Sequence, residues 1–138
     1  MSRATPELQR VARRLLALEA AARTAADAPA PAVRVCDTLR RSLSRLLGVA
    51  GFRTLLARAL TLAADEARGL HTVRVTADGS LEGWGNVAGQ RARDERAQAG
   101  VLLIAQLLGL LVTFIGATLT ARLVQEAWPA LSAGDLEF

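Results

Sequence analysis

The sequence predicts a mainly α-helical fold: a bundle of about four helices with a small β-hairpin between helices three and four. Three segments place apolar residues at helical spacing between Pro and Gly breaks. A fourth stretch, 101–121, carries no charge over 21 residues. The 138 residues suit a single helical domain, and at 51% hydrophobic they supply a core. We expect helix four to be the central apolar element, with Leu108 and Ile115 at least as buried as Leu43.

Helix one is predicted within residues 1–28. Thr5 suits the N-cap, Pro6 the first helical position and Glu7 the first turn, where an acid favours the helix dipole. The segment is amphipathic, since its apolar residues fall on one stripe: Leu8, Val11, Leu15, Leu18 and Ala22. The sequence "DAPAPA" then predicts an extended connection, because proline disfavours helix in the residue before it.

Helices two and three are predicted over 32–48 and 51–69, each ended by a glycine. The apolar face of helix two consists of Cys36, Leu39, Leu43, Leu46 and Leu47. The apolar face of helix three consists of Phe52, Leu55, Leu56, Ala59, Leu60 and Ala63. Three amphipathic helices in one short chain need an apolar element to cover, and helix four fills that role.

A hairpin and loop are predicted over 70–85. Val73 and Val75 alternate with polar residues, Asp78-Gly79 suits a turn, and Leu81 returns the chain. Helix four is predicted over 90–128, ended by Pro129, with a bend at Gly100 or Gly109 as the alternative to one straight helix.

The uncharged run 101–121 has two interpretations. Its length of about 31 Å matches a bilayer core, and Arg91, Arg93 and Arg96 would keep the preceding region in the cytoplasm. Burial in protein is favoured because the apolar row continues past Arg122 and Glu126, and because no Trp or Tyr flanks the run.

Small and polar residues form a stripe along helix four. Two glycines facing water would only weaken a helix, so we expect the stripe to mark close packing of another backbone, either within the chain or in a second copy. The predicted packing or self-association residues are Gln106, Gly109, Thr113, Gly116 and Thr120.

Residues suited to catalysis are scarce. One His, one Cys and no Tyr cannot build the common zinc sites, and a Cys-His pair would require Cys36 to meet His71. The acid pairs Asp65-Glu66 and Asp94-Glu95 lack a catalytic context, and "GWGNVAG" lacks the features of a phosphate-binding loop. We therefore expect no catalytic residue, no metal site and no cofactor, and hence no enzyme.

Candidate partner contacts are Trp84, Arg41 and Arg45. A tryptophan between two glycines suits either an exposed anchor or a cover for the end of the core. All 17 basic residues are arginine, and residues 1–60 hold 11 of them against 4 acids, so this half favours anionic partners. A nucleic-acid interface lacks its usual stacking aromatics and recognition motif.

The sequence thus favours a non-catalytic interaction or regulatory module with a protein partner or a second copy of itself. The alternative is a single-pass membrane protein, as an anchor or a membrane-active effector, with its span at about 101–121. Weak nucleic-acid binding by the first two helices is the third hypothesis. A polar N-terminus without a signal-peptide pattern predicts a cytoplasmic protein. A composition rich in Ala and Leu, with arginine as its only basic residue besides one His, predicts a bacterial source. The alternative location is the bacterial inner membrane, with the N-terminus in the cytoplasm.

Overall fold

A computed structural model describes residues 5–22, 30–84, 92–136 and 138. The main helices are α1 (Pro6–Ala22), α2 (Pro31–Ala64), α3 (Ala92–Ile115) and α4 (Ala117–Ala127), with short 3-10 helices at Arg68–Thr72 and Ala133–Leu136. Strands β1 (Arg74–Val75) and β2 (Leu81–Glu82) pair antiparallel, with Val75 opposite Leu81. The predicted mainly α-helical class with a small hairpin is confirmed.

The start of α1 follows the predicted capping chemistry. The backbone N–H of Leu8 donates to Thr5 Oγ1 at 3.2 Å, and Pro6 is the first helical residue. Val11, Ala12 and Leu15 form its buried face. The remainder of the predicted helix one, 1–4 and 23–28, lies outside the described residues.

Gly48 divides α2 into two arms, 31–47 and 49–64, in the places of the predicted helices two and three. The second arm ends at Ala64, five residues before the predicted end at Gly69, which lies in the 3-10 helix Arg68–Thr72. The φ of 75° and ψ of 163° at Gly48 fall in a region that is open essentially only to glycine, because a β-carbon clashes with the backbone there. The helix therefore changes direction at one residue.

The two arms of α2 fold back on each other. A β-carbon built on Gly79, in the turn of the β-hairpin, would lie 3.2 Å from Arg40 Cδ in one arm and 3.3 Å from Phe52 Cδ2 in the other. Residues at the start of α2 and just after its end both border cavities shared with the first turns of α3. The arms thus form a helical hairpin with Gly48 at its tip.

A second break, at Gly116, corrects the prediction of one helix over 90–128. Gly116 has φ 89° and ψ 158°, the same glycine-only region, whereas Gly100 and Gly109 lie within continuous helix. At the far end of α4, Trp128 Nε1 donates to Glu19 Oε2 at 3.0 Å. Arg34, near the start of α2, pairs with the same carboxylate. The chain therefore returns, and α3 and α4 form a second helical hairpin.

The two hairpins lie side by side with their tips at one end of the molecule. A β-carbon on Gly100 would lie 3.2 Å from Ala32 Cβ, and α3 packs along α2. Gly116 follows Gly100 by 16 residues, and Gly48 follows Ala32 by the same 16. Because both helices rise about 1.5 Å per residue, the breaks lie about 24 Å beyond this contact.

The first half of α3 is the centre of the core, as predicted. All ten residues from Ala99 to Leu108 are buried, and Leu108 is 0% exposed, like Leu43. The expectation for Ile115 is wrong: it is only half-buried, because the protein covering α3 ends near Leu111, ahead of the break at Gly116.

Two helices among the described residues have the length and apolar composition of a membrane span. These are Pro31–Ala64, which is broken at Gly48, and Glu95–Ile115. In the fold, 33% of the most apolar 18-residue stretch of the first helix is buried, and 61% of that of the second. A buried core helix meets the same criteria as a span, and this description fits the first half of α3.

Candidate functional site: the tips of two helical hairpins

Three large apolar side chains are exposed where the two helical hairpins turn. Leu46 is 52% exposed, Val49 48% and Phe114 67%. We call these three residues the tip surface. Large exposed apolar side chains are common when scattered, but several at the same end of a fold, each beside a helix break, are typical of a contact surface.

The tip surface has the same arrangement on both hairpins. Leu46 lies two residues before Gly48, and Phe114 lies two residues before Gly116. The next residues, Leu47 and Ile115, are half-buried and pack against the core. Each tip therefore holds one apolar side chain inward and presents its neighbour outward.

Exposed arginines lie on the helix that leads to the first tip. Arg45 precedes Gly48 by three residues, and Arg41 lies one turn earlier on the same face. Arg34 is also near that face, but its Nε is 3.2 Å from Glu19 Oε1. The structure thus leaves the predicted contacts Arg41 and Arg45 at the surface, next to the tip surface.

The predicted small-residue stripe does not form one continuous line. Gln106 is buried in α3, while Thr113 is exposed and its hydroxyl donates to the Gly109 carbonyl at 3.0 Å. A β-carbon on Gly109 would lie 3.2 Å from Leu8 Cδ1, so this position packs closely on α1. Gly116 is the tip of the second hairpin, and Thr120 lies on α4.

Gly116 and Thr120 have local roles in the described chain. The Thr120 hydroxyl is buried and donates to the Gly116 carbonyl at 2.8 Å, which supports the first turn of α4. Among the described residues, chain neighbours aside, no atom lies within 4 Å of a β-carbon built on Gly116, so its requirement for glycine comes from its backbone angles. Self-association through the stripe stays a prediction.

Trp84 covers the core and is not an exposed anchor. It is 7% exposed, and its Cζ2 lies 3.7 Å from a β-carbon built on Gly100. Its ring borders a cavity of about 550 Å³ between α1, α2 and α3, with Arg13 and Arg96 also in the lining. The other walls are mainly aliphatic, from Leu16, Ala17, Ala20, Ala32 and Val101.

Cys36 and His71, the residues most suited to chemistry, lie in different surroundings. Cys36 is buried, and burial together with the nearby charge of Asp37 raises the pKa of its thiol. His71 is exposed at the end of a 3-10 helix. Within the described part of the chain, no group of three His, Cys, Asp or Glu residues is placed to hold a metal ion.

Sequence reasoning missed the tip surface because it assigned Leu46 to a buried face and Phe114 to a continuous helix. A signal was nevertheless present. "LLGVA" and "FIGAT" both place a glycine between apolar residues inside a helical pattern, where glycine is unfavourable unless the chain turns. The same pattern at Gly109, "LLGLL", stays helical, so the signal marks candidate breaks and does not select among them.

Comparison of the chain with protein-family models, with curated proteins and with solved structures finds no significant match.

Proposed function

We propose that the protein is a non-catalytic interaction module whose contact surface is the tip surface of its two helical hairpins. The observation that carries this proposal is the position of Leu46, Val49 and Phe114, each within two residues of a glycine break at the same end of the fold. Exposing these side chains to water costs free energy that a partner would recover by covering them.

The rest of the fold supports a binding role over a catalytic one. A thiol that is fully buried with a raised pKa is a poor nucleophile, because the reactive species is the thiolate. His71, the one histidine of the chain, is exposed at the surface, whereas the thiol is buried in the core. The helices have a packed core instead, which holds both tips in a defined arrangement.

A single membrane span by 101–121 is the alternative function, favoured by the hydropathy of this run. Two features weigh against it. The run is interrupted at Gly116, and the residues up to Leu108 are already covered by the other helices. Carbonate extraction of membranes distinguishes the two, because only an integral span resists it.

The test of the tip surface is site-specific photocrosslinking in the native host. A photoreactive amino acid at Val49 should give an adduct, whereas the same group at the exposed Gln98, at the opposite end of α3, should give none. Mass spectrometry of the adduct then identifies the class of partner. Equal labelling from both positions, or none from Val49, would overturn the proposal.

A further inference from the structure

Electrostatics restricts the kind of partner that the tip surface would accept. Residues 38–64 hold five arginines and no acid, and residues 96–125 hold two arginines and no acid. The nearest acid on the first helical hairpin is Asp37, which lies 3.6 Å from Arg40. The nearest acid in the β-hairpin turn is Asp78, whose pKa is lowered mainly by a hydrogen bond from the Thr76 side chain and also by the charge of Arg40. The end of the molecule that presents apolar side chains is therefore positive.

The positive charge argues against a second copy as the partner. Two tip surfaces facing each other would bring Arg41 and Arg45 of both chains together. The exposed acids toward this end, Glu7 and Asp78, are fewer than its arginines, so like charges would predominate across the interface, which is unfavourable. An anionic partner would instead gain from the same arginines.

The shape of the surface argues for a lipid bilayer over a folded protein. Each tip is a convex turn made at a single glycine, and the exposed parts of the three side chains total roughly 300 Å² of apolar area. A protein interface of standard size covers about 800 Å² on each partner, of which a little over half, or roughly 450 Å², is apolar, so the three side chains fall short of it. A bilayer needs no matching shape, since a few apolar side chains enter the acyl region while nearby arginines remain at the phosphates.

We propose that the two hairpin tips dock on an anionic phospholipid membrane, with Leu46, Val49 and Phe114 inserted below the headgroups and Arg41 and Arg45 on the lipid phosphates. This inference rests on the proposed function of the tip surface and names its partner. The membrane is contacted from one side, and the core helix α3 stays within the protein fold.

The first experiment is flotation of the purified full chain with vesicles. Vesicles of phosphatidylcholine with about one-third phosphatidylglycerol should carry the protein upward, and pure phosphatidylcholine should carry much less, because the arginines add roughly a fivefold gain each at an anionic surface. Raising the ionic strength should weaken the binding.

Two variants test the two components of the surface. Arg41→Gln with Arg45→Gln should lower the affinity for anionic vesicles about 25-fold, that is, about fivefold for each arginine. Arg68→Gln with Arg74→Gln removes the same charge from exposed positions away from the tips and serves as the matched control. The triple change Leu46→Gln, Val49→Gln and Phe114→Gln should reduce binding at least about tenfold even at low ionic strength.

Insertion depth is measured with an environment-sensitive fluorophore on Val49→Cys, with Gln98→Cys as the control position. The buried Cys36 stays unlabelled in the folded protein, as labelling of the unmodified chain will verify. On anionic vesicles the probe at 49 should shift to shorter wavelengths and the probe at 98 should not.

The outcomes separate this inference from the proposed function. Binding that is absent, or that is unchanged by both sets of tip substitutions, overturns the membrane inference. If vesicles fail to bind while the photocrosslinker at Val49 captures a specific protein, the tip surface keeps its function and the lipid partner is wrong. If both experiments are negative, both proposals fall.

Discussion

The indole N–H of Trp128 donates to Glu19 Oε2 at 3.0 Å across 109 residues of sequence. The other carboxylate oxygen of Glu19 lies 3.2 Å from Arg34 Nε, so one acid joins the end of α4 to the start of α2. Trp128 is only 6% exposed and the Glu19 side chain 13%, and hydrogen bonds to a charged group in such a setting are stronger than neutral ones. This junction closes the second helical hairpin against the rest of the fold.

We therefore expect Glu19→Gln to destabilise the fold by about 2 kcal/mol, because the amide replaces a charged acceptor with a neutral one beside Arg34. Urea unfolding followed by circular dichroism measures this loss. Glu126→Gln, an exposed change on α4, is the matched control and should stay within about 0.5 kcal/mol of the unmodified protein. Equal effects of the two substitutions would show that the junction contributes nothing specific.

The two glycine breaks give a second prediction. Gly48→Ala and Gly116→Ala should each cost about 1–3 kcal/mol, because alanine is strained at φ 75° and 89° with ψ near 160°. In the part of the chain that the structure describes, no atom beyond the chain neighbours lies within 4 Å of a β-carbon at either position, so the cost comes from the backbone and not from crowding. The exposed Gly134, whose nearest neighbour to such a β-carbon is Ser132 Oγ at 3.9 Å, is the control and should tolerate alanine. Thermal unfolding of the three variants measures these differences in stability. Full stability of the first two variants would contradict the glycine-only backbone angles at the two breaks.

A third prediction compares two positions of α3. Leu108→Ala should cost about 2–5 kcal/mol, since it leaves a cavity in a fully buried site. Phe114→Ala should cost less than about 1 kcal/mol, because that ring is 67% exposed. Denaturant unfolding in aqueous buffer without detergent measures both. Tolerance at Leu108 would mean that the helix is not enclosed by protein.

Cys36 gives a prediction for alkaline pH. The chain has no Lys and no Tyr, so Cys36 is the side chain that titrates between the ranges of His and Arg. Burial raises the pKa of its thiol in the folded state, so above the unfolded pKa of about 8.5 the unfolded chain releases this proton first. Stability is then unaffected below that pH and falls by up to about 1.4 kcal/mol per pH unit above it.

Denaturant unfolding at a series of alkaline pH values measures this slope. Cys36→Ala supplies the control: its stability is lower overall because of the small cavity, but its dependence on alkaline pH should disappear. A slope that persists in Cys36→Ala would assign the effect to another group. Slow reaction of the native thiol with an aromatic disulfide reagent, and rapid reaction after unfolding, would verify the burial independently.

The sequence by itself determined the helical class and the starts of several elements. Thr5 and Pro6 start α1 through local capping chemistry, and Asp78-Gly79 makes the hairpin turn, because these signals act within a few residues of the chain. The apolar run also predicted correctly that the most buried helix follows the β-hairpin. A run of this composition suits a lipid bilayer and a protein core equally well. Its periodicity therefore did not decide which of the two surrounds it.

The tertiary structure decided how the helices turn and which apolar residues remain uncovered. Gly116 matched a packing stripe in sequence, yet it adopts backbone angles that end one helix and begin another. Leu46 matched a buried face, yet it is 52% exposed, two residues before the break at Gly48. The exposure of a side chain depends on where the neighbouring helices end. The relative positions of the helices are set by contacts between residues far apart in sequence, such as Ala32 with Gly100 and Glu19 with Trp128. A pattern read along one helix carries no information about the length of its neighbours, and for this reason the tip surface emerged only from the fold.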